Sequence, residues 1–137
     1  MVGLYVGSFN PFHKGHYNII QKAEAIFEDV LIARGRDVAK PAPTWSIPDI
    51  LKDRVMTYDG LVTDYIISLE KKGLPITLVR GLRNASDLEL EQRFYSFIKQ
   101  IKPDIKMVTL FCDVEYLHYS SSEIKKLPEY LQKEYLL

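Results

Sequence analysis

Cysteine is almost missing from this chain. Cys112 stands alone, so no internal disulfide framework holds the fold, and no cysteine–histidine cluster has the spacing of a structural zinc site. Long apolar runs are missing too. No stretch approaches the ~18 apolar residues of a membrane span, and residues 1–12 lack the basic start and apolar block of a secretion signal. No membrane partner is expected, and a reducing cytoplasm is the expected location. An excess of charge is the third absence. Eighteen Lys and Arg balance eighteen Asp and Glu, which excludes a nucleic-acid binder that relies on bulk positive charge. Internal repeats and low-complexity blocks are absent as well.

What is present has the balance of an ordinary globular protein, at 47% hydrophobic and 26% charged residues. The length of 137 residues suits one domain, 1–137, with its own core. Residues 2–6 are a short apolar strand that stops at Gly7. Ile19, Ile20, Ala23, Ile26 and Phe27 recur at helical spacing and predict a helix over 17–27. Residues 29–33 are a buried strand, and 34–48, with three prolines, a long loop. Helical patterns follow over 50–56 and 61–69, the second ending at Gly73. Residues 75–79 and 106–112 are strands. Between them Ser86 opens a long helix to about Ile101, with Ser86 and Glu89 spaced as a capping box. Ser120 and Glu123 repeat that spacing before a short helix, and Pro128 opens the last one.

Strands alternating with helices predict an α/β fold: a Rossmann-like, doubly wound parallel sheet with helices on both faces. Ligands in such sheets bind off the carboxyl ends of the strands. Three segments should fall there: 7–16, 80–83 and 115–122. The first, Gly7-Ser8-Phe9-Asn10-Pro11-Phe12-His13-Lys14-Gly15-His16, has glycines wrongly spaced for a dinucleotide fingerprint or a P-loop. It offers two imidazoles at a helix start, where free amides attract anions, and Gly15 lets backbone approach a ligand closely. The second has two arginines flanking Gly81, suited to gripping anions. The third, Tyr116 to Lys125, carries serine hydroxyls at a helix N-terminus.

The first segment is similar to the signature of the HxGH nucleotidyltransferases, roughly G-[ST]-F-x-P-x-[HT]-x-G-H, with Ser8, Phe9, Pro11, His13, Gly15 and His16 matching. The run Val79-Arg80-Gly81-Leu82-Arg83-Asn84-Ala85-Ser86-Asp87-Leu88-Glu89-Leu90-Glu91 resembles the RGLRxxxDxExE run of the phosphopantetheine adenylyltransferase family. The third segment resembles the superfamily's ISS[ST]xxR segment, with Tyr119 in place of isoleucine. The chain thus looks like a shortened member, a helix's worth of residues lacking between Arg54 and Tyr58.

The resemblance implies transfer of AMP from ATP to 4′-phosphopantetheine, giving dephospho-CoA and pyrophosphate in coenzyme A biosynthesis. It implies His16, His13 and Lys40 as catalytic residues. It implies ATP binding by Ser8, Phe9, His16, Gly81, Leu82, Arg83, Glu91, Tyr116, Leu117, His118, Tyr119, Ser120, Ser121 and Ser122. Ser8, Lys40, Val62 and Arg80 would bind the acceptor. Mg²⁺ would accompany ATP with no dedicated protein metal site, and the chain would form a homo-oligomer. His13, where the phosphopantetheine enzymes usually carry Thr or Ser, together with Arg34 and Arg36, leaves a second reading. In it the acceptor is nicotinamide mononucleotide or a cytidylyltransferase substrate. A non-catalytic nucleotide-binding module is the third. The aromatic row Phe94, Tyr95 and Phe97 reads as helix core or subunit interface, and Cys112 as a small buried strand residue.

Overall fold

The structure is a computed structural model that describes residues 1–36 and 45–137. Five parallel strands form one sheet in the order β3-β2-β1-β4-β5: β1 Val2–Gly7, β2 Asp29–Arg36, β3 Val55–Asp59, β4 Ile76–Leu82 and β5 Met107–Phe111. The helices are α1 Lys14–Glu24, α2 Val62–Lys71, α3 Ala85–Ile101, α4 Ser121–Lys125 and α5 Glu129–Gln132. Ile19, Ile20 and Ala23 of α1 pack on one face with Tyr5, Phe27, Ile32 and Leu51. Ile66 and Leu69 of α2 and Ile98 of α3 pack on the other with Leu4, Val6 and Leu78. Burial on both faces explains why the central strands read as continuous apolar runs.

Several boundaries differ from the sequence expectation, each for a local reason. Helix α1 starts at Lys14 because His13 caps it. It ends at Glu24, where amides of Ala25, Ile26 and Phe27 turn back onto Lys22 and Ala23. That turn leaves Ile26 exposed and lays Phe27 over Gly3, where a Cβ would meet the ring at 2.7 Å. The helix expected over 50–56 is instead a 3₁₀ turn, Asp49–Arg54, running straight into β3. The apolar residues of the turn and of β3, Ile50, Leu51, Val55 and Met56, together repeat at helical spacing. Arg34, Gly35 and Arg36, expected in a loop, extend β2 and pair with Thr57, Tyr58 and Asp59, while residues 37–44 of that expected loop lie outside the described residues. Helix α3 is capped by Asn84, whose side chain accepts from the Asp87 amide at 2.9 Å, and not by Ser86. Ser120 is the N-cap residue of α4 but makes no cap bond with its side chain.

The strand order reverses between β1 and β4, since β2 and β3 lie on one side of β1 and β4 and β5 on the other. The β1–β4 ladder ends at Tyr5 and Val79, while β1 continues beside β2 as far as Gly7. The two central strands therefore part toward their carboxyl ends, which opens a crevice at the switch point. No helix among the described residues is long and apolar enough to cross a membrane.

Candidate active site

The crevice is a cleft of about 510 Å³, lined by all three expected segments, within the range of small-molecule sites. Its floor is Tyr5, Val6 and Gly7 of β1, with Arg80 and Gly81 of β4. One wall is the loop Ser8 to Asn10 and the start of α1. The rest of the lining includes Asp87, Leu90 and Glu91 of α3 together with Tyr116, Tyr119, Ser120, Ser121, Ser122 and Lys125.

His13 and His16 make a reciprocal cap at the start of α1. The His13 amide donates to Nδ1 of His16 at 3.0 Å, and the His16 amide donates to Nδ1 of His13 at 3.4 Å. A backbone amide can only donate, so both Nδ1 atoms are acceptors and each neutral ring carries its proton on Nε2. The rings stack at 3.6 Å with an interplanar angle of 21°. His16 is held edge-on by Phe9 at 5.0 Å and flanked by Phe12 at 5.2 Å. Phe9 does this with a left-handed backbone, φ 47°, an uncommon state for an aromatic residue and one that clusters at functional sites.

The glycine between the histidines has a different purpose from the one expected. A Cβ on Gly15 would meet Cε1 of His13 at 2.9 Å, so the glycine clears room for a protein ring and not only for a ligand. The free helix-start amides are also fewer than expected. Those of Lys14 and His16 are already bound, to the Tyr135 carbonyl and to His13. What the helix start offers an anion is therefore chiefly two Nε2–H donors.

Burial and the nearby Arg83 guanidinium push His13 down to about 4. Burial, then His13 and Arg83, hold His16 well below the ordinary imidazole value. Both are neutral donors at physiological pH. In the unfolded chain these histidines titrate near the ordinary value of about 6.5. Between that value and about 4 the unfolded state binds protons that the native state refuses, so stability rises with pH there. The contribution is complete above pH ~6.5 and lost as pH falls toward 4, roughly 3 kcal/mol for His13 alone. Urea melts between pH 7.5 and 4.5 should show this loss, and a His13→Gln variant should show a smaller one. Equal slopes for the two proteins would exclude it.

Both arginines of the second segment are strapped to carboxylates. Arg80 donates to Glu91 through Nε at 2.9 Å and Nη2 at 2.8 Å, and through Nη1 to the Val6 carbonyl at 2.7 Å. That last bond satisfies β1 where its ladder to β4 has ended. Arg83 donates to Asp87 through Nε at 2.9 Å and Nη2 at 3.1 Å, and through Nη1 to the Tyr119 carbonyl at 2.7 Å. Contrary to expectation, Arg80 to Leu82 belong to β4 and do not follow it. Gly81 is required because a Cβ there would meet Ile19 at 2.8 Å.

The third segment closes on the first. Ser121 Oγ donates to the Pro11 carbonyl at 2.8 Å, and Ser120 and Ser122 hydroxyls lie 3.0 Å apart. Asn18 of α1 bonds twice to Asp113, at 2.8 and 2.9 Å, fixing the chain just past β5. Leu117 and His118 are exposed and lie outside the cleft lining. Val62 also lies outside it, buried at the start of α2. Lys40 falls outside the described residues. Cys112 is not a buried strand residue. It lies one position past β5, half-buried, on the cleft wall. Of the aromatic row, Phe94 and Tyr95 pack on the core and Phe97 is exposed.

Sequence reading missed Asp87, Asn10 and Tyr5 as parts of the site. Asp87 holds Arg83 four residues away, a spacing legible on any helix. Asn10 accepts from the Trp45 amide at 3.2 Å, a long-range contact with no local signal. Arg34 is spent on backbone carbonyls, those of Ser8 at 2.9 Å, Phe9 at 3.0 Å and Trp45 at 2.8 Å. It shapes the Ser8–Phe9 loop.

A family model described as cytidylyltransferase-like matches residues 4–127. The phosphopantetheine adenylyltransferase of Mycoplasma capricolum subsp. capricolum is 32% identical over 141 residues, covering 94% of this chain and 97% of that protein. That of Geobacter sulfurreducens is 32% identical over 136 residues, covering 92% of this chain and 80% of the other. Among solved structures, a bifunctional NMN adenylyltransferase/ADP ribose pyrophosphatase from Francisella tularensis, complexed with AMP and a manganese ion, superposes with a TM-score of 0.59 at 16% identity. The match covers 98% of this chain and 44% of that one. The nicotinic acid mononucleotide adenylyltransferase of Plasmodium falciparum gives a TM-score of 0.58 at 15% identity, covering 98% and 89%. At such identities the two structures speak for the fold alone.

Proposed function

The chain belongs to the cytidylyltransferase-like family and, within it, to the phosphopantetheine adenylyltransferases, and from that premise we propose that it moves AMP from ATP to 4′-phosphopantetheine, yielding dephospho-CoA and pyrophosphate. The observation that carries the chemistry is the stacked pair of neutral imidazoles on the cleft wall. The attacking phosphate monoester is largely dianionic near neutral pH, with a second pKa of about 6, so no general base is needed. Its oxygen forms a bond to the α-phosphorus as the bond to the β-phosphate bridging oxygen breaks, and pyrophosphate leaves. The difficulty is to bring two anions together and to stabilise charge building on the α-phosphate.

Nε2–H donors fixed by stacking and caps meet that need without reorganising. His16 acts on the α-phosphate and His13 supports the same phosphates. Arg83, Ser120, Ser121 and Ser122 are assigned to the triphosphate, with the Ser8 and Phe9 backbone. Arg80, Lys40 and Val62 are assigned to the acceptor. Glu91 acts through Arg80, since its carboxylate is bound there. Mg²⁺ fits as an escort of the triphosphate, held by phosphate oxygens and water. The carboxylates lining the cleft, Asp87 and Glu91, are engaged by Arg83 and Arg80, so ATP supplies its ligands. When bound, the ion neutralises phosphate charge. Exposed Phe97 on α3 supports a homo-oligomer, which a light-scattering mass of one chain would refute.

The second reading, another phosphorylated acceptor, rests on His13. Arg34, which also favoured it, is occupied by three carbonyls. A pyrophosphate-release screen of 4′-phosphopantetheine, nicotinamide mononucleotide and sugar phosphates, each with ATP and CTP, decides between them. Turnover is expected with ATP and phosphopantetheine. Turnover only with another acceptor would replace the assignment.

A further inference from the structure

The amide of Lys14, the first residue of α1, donates at 2.9 Å to the carbonyl of Tyr135 at the far end of the sequence. His13 and Leu136 form an isolated antiparallel bridge beside it. The side chains continue the link. The Tyr135 ring lies edge-on to Tyr119 at 4.8 Å, Tyr119 lies edge-on to His13 at 5.8 Å, and His13 stacks on His16. Tyr119 is itself pinned, because its carbonyl accepts from Arg83 and its Cβ stands 3.5 Å from where a Cβ on Gly15 would be.

Tyr135 does not look like a core residue that happens to touch these groups. It is half-buried, belongs to neither core cluster, and its aromatic neighbours are Tyr119 and His118. Its backbone is held by the end of α5, with its amide bonded to the Gln132 carbonyl at 3.0 Å. Gln132 Nε2 in turn donates to the carbonyls of Ile124 and Leu127, at 3.2 and 3.1 Å, around the end of α4. The first-turn amide that a phosphate would otherwise seek is thus occupied from outside the motif.

We propose that Tyr135 and Leu136 form a strap that positions the His13–His16 pair, with Tyr135 a positioning residue that acts through the Lys14 amide and the Tyr119 ring. This rests on the reading of the two histidines as phosphate-binding groups. The strap has two effects. It denies the Lys14 amide to the anion, which leaves the Nε2–H donors as its contacts. It also sets the Tyr119 ring edge-on to His13 at 5.8 Å, so the reciprocal cap holds one tautomer in each ring.

Two variants of the full chain remove the strap by different routes. Tyr135→Ala removes the ring wedge and keeps the backbone. Lys14→Pro removes the donor at a position where proline suits a helix. The preceding His13, at φ −129° and ψ 175°, already has the extended backbone that proline demands. Long-range ¹H–¹⁵N spectra of the imidazoles report tautomers, and steady-state kinetics report kcat and KM separately.

In the parent both rings should be Nε2–H tautomers. In both variants the His13 signals should show mixed tautomers, and kcat should fall about 10- to 100-fold, the scale of an ångström's misplacement, with KM for ATP changing far less. Tyr135→Phe should behave as the parent. Parent-like tautomers in both variants would overturn the strap whatever happens to kcat, and so would mixed tautomers with unchanged kcat. Should the parent itself show no transfer, the adenylyltransferase reading fails, and the tautomer spectra alone still decide whether the strap exists.

Discussion

His16→Ala is expected to lower kcat by about 10²–10³-fold, the scale for removing one oxyanion-type donor, while ATP affinity changes little. The ring is fixed by Phe9, Phe12 and His13 and by its Nδ1 cap. Its Nε2–H is therefore in place before charge develops, and an interaction that strengthens only in the transition state appears in kcat. Arg83, the serine hydroxyls and the loop amides remain to hold the triphosphate. The substitution does have a structural cost. The His13 amide loses its acceptor and the aromatic nest loses a ring, so a destabilisation of roughly 1–2 kcal/mol is expected. Single-turnover kinetics well below the melting temperature separate chemistry from unfolding, and calorimetry reports ATP binding. Near-parent turnover, or activity lost only in step with unfolding, would remove His16 from the chemistry.

Arg80→Ala is expected to have the largest effect on stability. The guanidinium makes three hydrogen bonds and lies 5.2 Å from the Phe94 ring centroid. Removing it strands the Glu91 carboxylate, whose side chain is 11% exposed. Breaking a buried pair from one side costs about 3–5 kcal/mol, and the 26% exposure of the Arg80 side chain puts this case at the lower end. Most of that cost is the unpaired charge, so Arg80→Ala with Glu91→Gln should be more stable than Arg80→Ala alone. Urea denaturation of the four proteins in the cycle measures the coupling. Simple additivity would mean that the pair carries no mutual stabilisation. For the same reason, activity lost on changing Arg80 bears on acceptor binding only where the variant is demonstrably folded.

What the sequence made legible follows from the range of the forces involved. Strands β1, β2 and β4 could be read because burial on both faces writes an apolar run into adjacent residues, and β5, an edge strand, because Met107, Val108, Leu110 and Phe111 stand apart from any helical pattern. Strand β3 could not, because it follows the 3₁₀ turn Asp49–Arg54 directly, and Ile50, Leu51, Val55 and Met56 together repeat at helical spacing. The three segments were placed on one edge by topology alone. Their internal wiring was not visible, since it depends on contacts distant in sequence. The resemblance implies ATP binding by Glu91, but Arg80 occupies its carboxylate. Arg34, part of the second acceptor reading, is bound to three backbone carbonyls. The helix-start amides looked available, yet Lys14 is taken by Tyr135, 121 positions later. The capping boxes at Ser86 and Ser120 had the right spacing, but Asn84 and the Ser120–Ser122 pair make the actual bonds. The cap with the wrong residue types by ordinary preference, His13 with His16, is the one that is formed.

The central claim is that this cleft joins ATP to 4′-phosphopantetheine. Its most direct test is to incubate the purified protein with ATP, Mg²⁺ and 4′-phosphopantetheine and resolve the products by mass. Dephospho-CoA and pyrophosphate should appear in equal amounts, and the AMP moiety should carry the α-phosphorus label of the ATP. Folded protein that binds ATP and forms no dephospho-CoA would contradict it.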